Sequence, residues 1–85
     1  MKTENKYIKI LEVPHTGKTK GFEIRNKSGE YPIGEIEWYS NWRQYCFFPW
    51  DDMVFNSTCL ELITDFMKDI NVEHRKGWIQ KKQEA

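Results

Sequence analysis

The chain is short and electrically balanced, which limits the classes of function it can have. Its 85 residues suffice for one domain with a single small core. Its 13 basic and 13 acidic residues cancel, so no net field draws nucleic acid or an anionic membrane towards it. The composition therefore argues against nonspecific DNA coating and leaves room only for a local basic patch. Aromatic residues make up 15% of the chain, which suits a small domain that needs an efficient core.

Four β-strands are predicted before residue 50. Alternating polar and apolar residues, or β-branched and aromatic composition, define each strand, and turn-forming residues such as Pro14 and Gly29 separate them. The predicted strands are residues 7–13, 21–25, 33–39 and 43–48, the last of which Pro49 ends. Because the connections are short, consecutive strands should pair as an antiparallel meander.

A helix is predicted from Asn56 onward, where the apolar period changes from two to 3.6 residues. Its apolar residues fall within an arc of roughly 160°; they are Cys59, Leu60, Leu62, Ile63, Phe66, Met67 and Ile70. Val72 departs from this stripe, so we expect the packed helix to end near Asn71. Residues 72–85 should form a looser extension that is broken at Gly77.

These elements predict an α+β fold in which one C-terminal amphipathic helix packs on one face of a four-stranded antiparallel meander, in the order β-β-β-β-α. Residues 1–85 form a single domain with an ordered core at about 6–71. Thr58 and Glu61 have the spacing of a capping box at the start of the helix, and Asn56 or Ser57 would cap it equally well.

Two short motifs resemble ligand or catalytic sites, but a turn explains each of them better. The sequence GKT at residues 17–19 resembles the end of a phosphate-binding loop, yet Glu12 stands where that loop needs its first glycine. Asp51 and Asp52 could bind a cation or act as acid and base, although a proline, aromatic, aspartate run is also typical of a turn. We therefore predict no catalytic residue and a protein that is not an enzyme.

No metal or other cofactor is predicted. Zinc prefers thiolate and imidazole, but its ligands usually come in close pairs, and here they are isolated from one another: His15, Cys46, Cys59 and His74. Cys46 and Cys59 form no CxxC motif, and the first residues, MKTENKYIK, contain no apolar segment typical of a signal peptide. No run approaches the roughly eighteen apolar residues of a membrane helix. We expect a cytoplasmic protein with reduced thiols and no membrane partner.

The segment EWYSNWRQYCFFPW, residues 37–50, is unusually rich in aromatic residues. A loop at Ser40 and Asn41 joins the two strands, and we expect one register whether it has two or four residues. The expected cross-strand pairs are Trp38–Arg43, Ile36–Tyr45 and Gly34–Phe47. A loop of three residues would shift the register by one. Arg43, Tyr45 and Phe47 would then lie beside Glu35 and Glu37.

Alternation along this hairpin predicts two faces, and one helix can cover only one of them. The first comprises Ile36, Trp38, Arg43, Tyr45 and Phe47. The second comprises Glu35, Glu37, Tyr39, Trp42, Gln44, Cys46 and Phe48. We expect the helix on the first face, which has no acidic residue, with Arg43 at its rim over the Trp38 ring. On the second face Tyr39 and Trp42 should then lie side by side in the open.

Residues 33–67 resemble a group of short bacteriophage and prophage proteins. The shared pattern is G-x-I-x-W-Y-x-x-W-R-x-Y-x-F-F-P followed by F-N-x-x-C-L. Here its residues are Gly34, Ile36, Trp38, Tyr39, Trp42, Arg43, Tyr45, Phe47, Phe48, Pro49, Phe55, Asn56, Cys59 and Leu60. The resemblance implies a small cytoplasmic protein made in a bacterial host, and it implies no catalytic residue.

Three hypotheses for function follow, and the first is a protein-binding module that engages or inhibits a host protein. Its predicted contact residues are Glu35, Glu37, Tyr39, Trp42, Arg43 and Gln44. The second is a nucleic-acid-binding accessory protein that uses the aromatic hairpin and a basic tail containing Arg75, Lys76, Lys81 and Lys82. The acidic residues of the hairpin count against it. The third is a homodimer that buries the second face.

Overall fold

The structure, a computed structural model, describes residues 1–15 and 17–84, with side chains up to residue 76. The elements in chain order are β1 (Ile8–Val13), β2 (Gly21–Asn26), β3 (Pro32–Tyr39), β4 (Gln44–Pro49) and α1 (Ser57–Glu84). The strands pair antiparallel in the order β1-β2-β3-β4. The predicted α+β meander with a C-terminal helix is confirmed, and every strand boundary lies within one residue of its predicted position.

Asn56 caps the helix. Its side-chain Oδ1 accepts a hydrogen bond from the Cys59 backbone N–H at 2.8 Å, the geometry of an N-cap residue and the third helical position. The backbone is helical to Glu84, beyond the predicted end near Asn71 and through Gly77. A single glycine costs about 1 kcal/mol relative to alanine, which good helix formers on both sides offset. The side chains of the extension from residue 77 lie outside the described part.

The core lies between α1 and one face of the sheet. Its buried members are Ile8, Ile10, Phe22, Ile24, Ile33, Ile36, Tyr45, Cys59, Leu62, Ile63, Phe66 and Ile70. Trp38 and Phe47 pack against this cluster, so the helix covers the face predicted for it. Leu60 does not join the core, since 44% of its surface is exposed. It lies at one margin of the apolar arc, whereas Leu62 at the other margin is buried by the sheet.

A bulge in β3 adds one residue to the core. Ile24 pairs with Gly34 and Arg25 pairs with Pro32, so Ile33 has no opposite residue in β2. Alternation would place Ile33 on the same face as Glu35, but the irregularity turns it inward, where only 2% of its surface is exposed.

The four-residue turn of the β3–β4 hairpin comprises residues 40–43, whereas a four-residue turn in the predicted register would comprise residues 39–42. The predicted pairs are therefore wrong by two positions along β4. The observed pairs include Gly34–Pro49, Ile36–Phe47 and Trp38–Tyr45. Trp42 and Arg43 therefore belong to the turn rather than to the strand, and Arg43 has a left-handed backbone with φ of 53°. A shift of two residues leaves each strand side chain on its own side, so the assignment of strand residues to two faces is confirmed.

Both outer edges of the sheet receive additional hydrogen bonds. Along β1, the N–H of Ile10 donates to the carbonyl of Thr3 at 2.7 Å. Along β4, the N–H of Tyr45 donates to Oδ1 of Asn71 at 2.7 Å, and Nδ2 of Asn71 donates back to the Tyr45 carbonyl at 3.4 Å. A helix side chain thus occupies the exposed backbone groups of an edge strand and holds the hairpin to α1.

Candidate functional site

The sheet face opposite α1, which we call the open face, contains a row of aromatic residues that are exposed or, at Tyr39, half-buried. The Tyr39 ring meets the Trp42 ring edge-to-face with centroids 5.1 Å apart, and it meets the Phe48 ring at 6.1 Å. Trp50 comes two residues after Phe48, on the same face, and is also exposed. We call Tyr39, Trp42, Phe48 and Trp50 the aromatic patch. The prediction that Tyr39 and Trp42 lie side by side is confirmed, and 67% of the Trp42 surface is exposed.

Hydrogen bonds within the turn hold the outer end of the patch. The N–H of Trp42 donates to the carbonyl of Tyr39 at 3.1 Å, and the N–H of Arg43 donates to the carbonyl of Ser40 at 3.3 Å. Nδ2 of Asn41 donates to the Tyr39 hydroxyl at 3.1 Å. These bonds hold the turn in which Trp42 lies next to Tyr39.

A band of three carboxylates lies beside the aromatic patch. Glu23 and Glu35 are directly opposite each other on β2 and β3, and Glu37 is two residues further along the same face. Burial and, after it, the Glu37 carboxylate raise the pKa of Glu35 above its ordinary value, while an interaction with the Trp50 indole works in the opposite direction. Arg25 neutralises part of the band through an ion pair with Glu23 at 2.7 Å. On the open face the aromatic patch therefore borders a net acidic band.

The two cysteines lie on opposite sides of the sheet. Cys46 is on the open face, directly opposite Glu37, whereas Cys59 is buried beneath the sheet in the helix. Burial raises the pKa of the Cys46 thiol. A thiol with a raised pKa is a weak nucleophile at neutral pH, so the local environment favours a packing role for Cys46 over covalent chemistry.

Five of the six predicted contact residues share the open face or its margin: Glu35, Glu37, Tyr39, Trp42 and Gln44. Arg43 does not accompany them, because its turn position directs it to a groove on the helix side, which it lines together with Trp38 and His74. The ring next to Trp38 is that of His74, at 4.4 Å, rather than the expected Arg43 guanidinium. Arg43 therefore separates from the other predicted contact residues.

Sequence reasoning left two neighbours out of the contact set. Phe48 was assigned to the correct face without being named as a contact residue, and Trp50 was treated as part of a turn. The alternation that identified Tyr39 continues through Phe48 to Trp50, and it would have found both. Glu23 carried no such signal, because its place beside Glu35 depends on the pairing of β2 with β3.

A phage protein is similar to this chain over most of its length. The "Uncharacterized 9.3 kDa protein" of Acholeplasma phage L2 is 32% identical over 71 residues, which cover 82% of this chain and 90% of that protein. The chain belongs to the family of this phage protein. No protein-family model and no solved structure matches it. The expected relationship to short phage proteins is confirmed at the level of the family. In the part of the chain that the structure describes, no helix is long and apolar enough to cross a membrane.

Proposed function

We propose that this phage-family protein is a non-enzymatic protein-binding module that engages a host protein in the bacterial cytoplasm through its open face. The observation that supports the proposal is the exposed aromatic patch, above all Trp42, with two thirds of its surface accessible. Tryptophan and tyrosine are enriched among the residues that dominate binding energy at protein interfaces. The core does not require Trp42, so its place at the hairpin tip suits recognition better than folding.

The charge around the patch specifies the partner's chemistry. Glu23, Glu35 and Glu37 border the aromatic residues, and one ion pair with Arg25 offsets only part of their charge. A matching surface would carry an apolar pocket for Trp42 and lysine or arginine residues opposite the carboxylates. We infer a host protein with a basic rim, and we expect high salt to slow the association.

The proposal also gives a reason for the aromatic pattern that this sequence resembles. Ile36 and Trp38 lie against the helix, while Tyr39 and Trp42 form the patch, so the same short pattern supplies support and contact surface. We propose that members of this phage family share both halves of the pattern. A relative that kept only the supporting half would be expected to fold in the same way and to lack the partner.

Capture from host lysate tests the proposal. A tagged copy should retain a host protein in the presence of nuclease, and the double variant Tyr39→Ala/Trp42→Ala should lose it. The matched control is Tyr7→Ala/Tyr31→Ala, which removes two exposed aromatic residues outside the patch. The captured protein should then bind the purified chain directly and less well at higher salt. Equal capture by the patch and control variants would contradict the proposal.

The homodimer hypothesis involves the same patch. The molecular mass in solution distinguishes it from the protein-binding module. Light scattering at micromolar concentration should give the mass of one chain for the protein-binding module. A dimer that Trp42→Ala converts to monomer would assign the open face to self-association instead. Circular dichroism of each variant checks that the fold is retained.

A further inference from the structure

A groove on the helix side of the hairpin tip has a chemical character opposite to that of the open face. Its described lining consists of Trp38, Ser40, Arg43, His74 and Arg75, and its volume is about 690 Å³. None of these residues is acidic. Arg43 and Arg75 are both exposed, and neither forms an ion pair with any residue in the described part of the chain. We call this region the cationic groove.

The floor of the cationic groove is a pair of stacked aromatic rings. The rings of Trp38 and His74 lie 4.4 Å apart with a tilt of 36° between their planes. Tyr45 holds Trp38 from below through an edge-to-face contact at 5.4 Å and is itself buried in the core. At this separation the two rings cover each other's inner faces, so a flat ligand ring would stack on an outer face of the pair.

A second, smaller groove continues the basic surface past His74. It has a volume of about 160 Å³ and a described lining of Lys18, Lys20, Tyr45, Ile70, Glu73 and His74. The backbone N–H of Lys20 donates to the Tyr45 hydroxyl at 2.9 Å, which ties this loop to the hairpin. Both grooves are lined by His74, so the four cationic side chains lie on either side of it, and Glu73 is the only acidic group among the described lining residues of the two grooves.

We propose that the cationic groove and its continuation bind single-stranded nucleic acid. Arg43, Arg75 and the two lysines would contact successive phosphates, and a base would stack on an outer face of the Trp38–His74 pair. A path with several cations suits a chain of phosphates better than one anion, and the aromatic floor suits an unpaired base. A duplex keeps its bases inside the helix, where this floor cannot reach them. The acidic band confines the nucleic acid to this side of the sheet.

The backbone of Arg43 offers a substitution that separates a role of its side chain in binding from a role in folding. A left-handed φ of 53° costs an arginine of order 1 kcal/mol, whereas glycine adopts it without strain. The Arg43 side chain makes no described hydrogen bond or ion pair that would offset this cost within the fold. Arg43→Gly should therefore leave the protein at least as stable while weakening nucleic-acid binding, a combination that a purely structural role would not produce.

Fluorescence anisotropy with a labelled oligothymidine of about ten nucleotides tests the proposal. Four phosphate contacts on a single strand predict a salt slope near −3, so affinity should fall about 50-fold between roughly 50 and 200 mM salt. The variant Arg43→Gly/Arg75→Gln should bind at least about tenfold more weakly at the lower salt concentration. His74→Ala should lose about as much, because one stacked base is removed.

The matched control is Lys2→Gln/Lys68→Gln, which removes the same charge from exposed positions outside both grooves. It should lose no more than about threefold in affinity, the effect of net charge alone. Three results would overturn the proposal: no binding by the wild type at the lower salt concentration, equal losses in the groove and control variants, or equally tight binding of a duplex of the same length. Urea unfolding of each variant shows whether any loss reflects a damaged fold.

Discussion

The two sides of the β3–β4 hairpin use the same kinds of ring in opposite electrostatic settings. On the open face, Tyr39 and Trp42 lie beside a band of carboxylates, and on the helix side, Trp38 lines a groove together with two arginines. The chain has no net charge, but three of its carboxylates lie together on one of these surfaces and two of its arginines line the other. The net charge of zero therefore gives no information about the charge on either surface.

The difference also concerns how each ring is held. Trp38 is fixed by the core through Tyr45, so it supports the fold as well as any ligand. Trp42 is held by a turn and touches Tyr39 only at its edge. Loss of Trp42 should change binding alone, whereas loss of Trp38 should change both. This contrast makes the open face the easier surface to test by substitution.

The largest expected effect comes from a residue on which both surfaces depend. A Cβ added at Gly34 would lie 2.8 Å from Cε1 of Phe47, which is held in turn by an edge-to-face contact with Phe55. Gly34→Ala should lower the free energy of unfolding by about 2 kcal/mol, since overpacking of this kind costs about 1 to 3 kcal/mol. Urea unfolding measures the loss, and both binding activities should weaken together.

Gly29→Ala is the matched control for this substitution. The added Cβ would lie 2.6 Å from the Tyr31 ring, which is exposed and free to rotate away at little cost. A loss as large as that of Gly34→Ala would show that close approach alone, rather than confinement of the neighbouring ring, sets the cost.

A smaller effect is expected within the acidic band. Because burial and Glu37 raise the pKa of Glu35 in the folded state, the folded protein holds a proton on Glu35 more tightly than the unfolded chain does. The resulting stability is present below the unfolded-state pKa and is lost as pH rises through the folded-state pKa. Glu35→Gln removes this loss, because glutamine carries no charge. The substitution should therefore raise the free energy of unfolding at pH 7 by about 0.5 kcal/mol, which is the cost of one pair of like charges on neighbouring positions.

Urea unfolding at acidic and neutral pH checks this prediction. The wild type should lose more stability than Glu35→Gln as the pH is raised between the two conditions. Glu12→Gln, which changes an exposed carboxyl outside the band, should follow the wild type. Parallel pH dependence of Glu35→Gln and the wild type would mean that the acidic band does not repel itself in the folded protein.

The smallest effect distinguishes occupancy of the two surfaces. Cys46 lies on the open face with a raised pKa, so its alkylation by iodoacetamide should be slow at neutral pH and accelerate as the pH is raised. A host protein bound to the open face should slow it further, whereas oligothymidine in the cationic groove should leave it unchanged. Cys46→Ser should remove the labelling, because Cys59 is buried. Slower alkylation of Cys46 in the presence of the oligonucleotide would place the nucleic acid on the open face and contradict its assignment to the cationic groove.

Local patterns accounted for much of the fold because they are carried by neighbouring residues. Alternation assigned Ile36 and Trp38 to one face and Glu35 and Glu37 to the other, and the 3.6 period identified the buried stripe of the helix. The open aromatic face followed from these two facts, since one helix cannot cover both sides of a sheet. Alternation could not give the length of the turn, because loops of two and four residues place every strand side chain on the same side.

Contacts between residues far apart in the chain set the rest. The hairpin register, the bulge at Ile33 and the approach of His74 to Trp38 all depend on how β2, β3 and α1 meet. The sequence alone therefore specified the elements, their apolar faces and the existence of an exposed aromatic surface. Long-range packing determined that Arg43 leaves that surface and joins Arg75 at the opposite side, since no local period relates a turn residue to a helix more than 30 residues away.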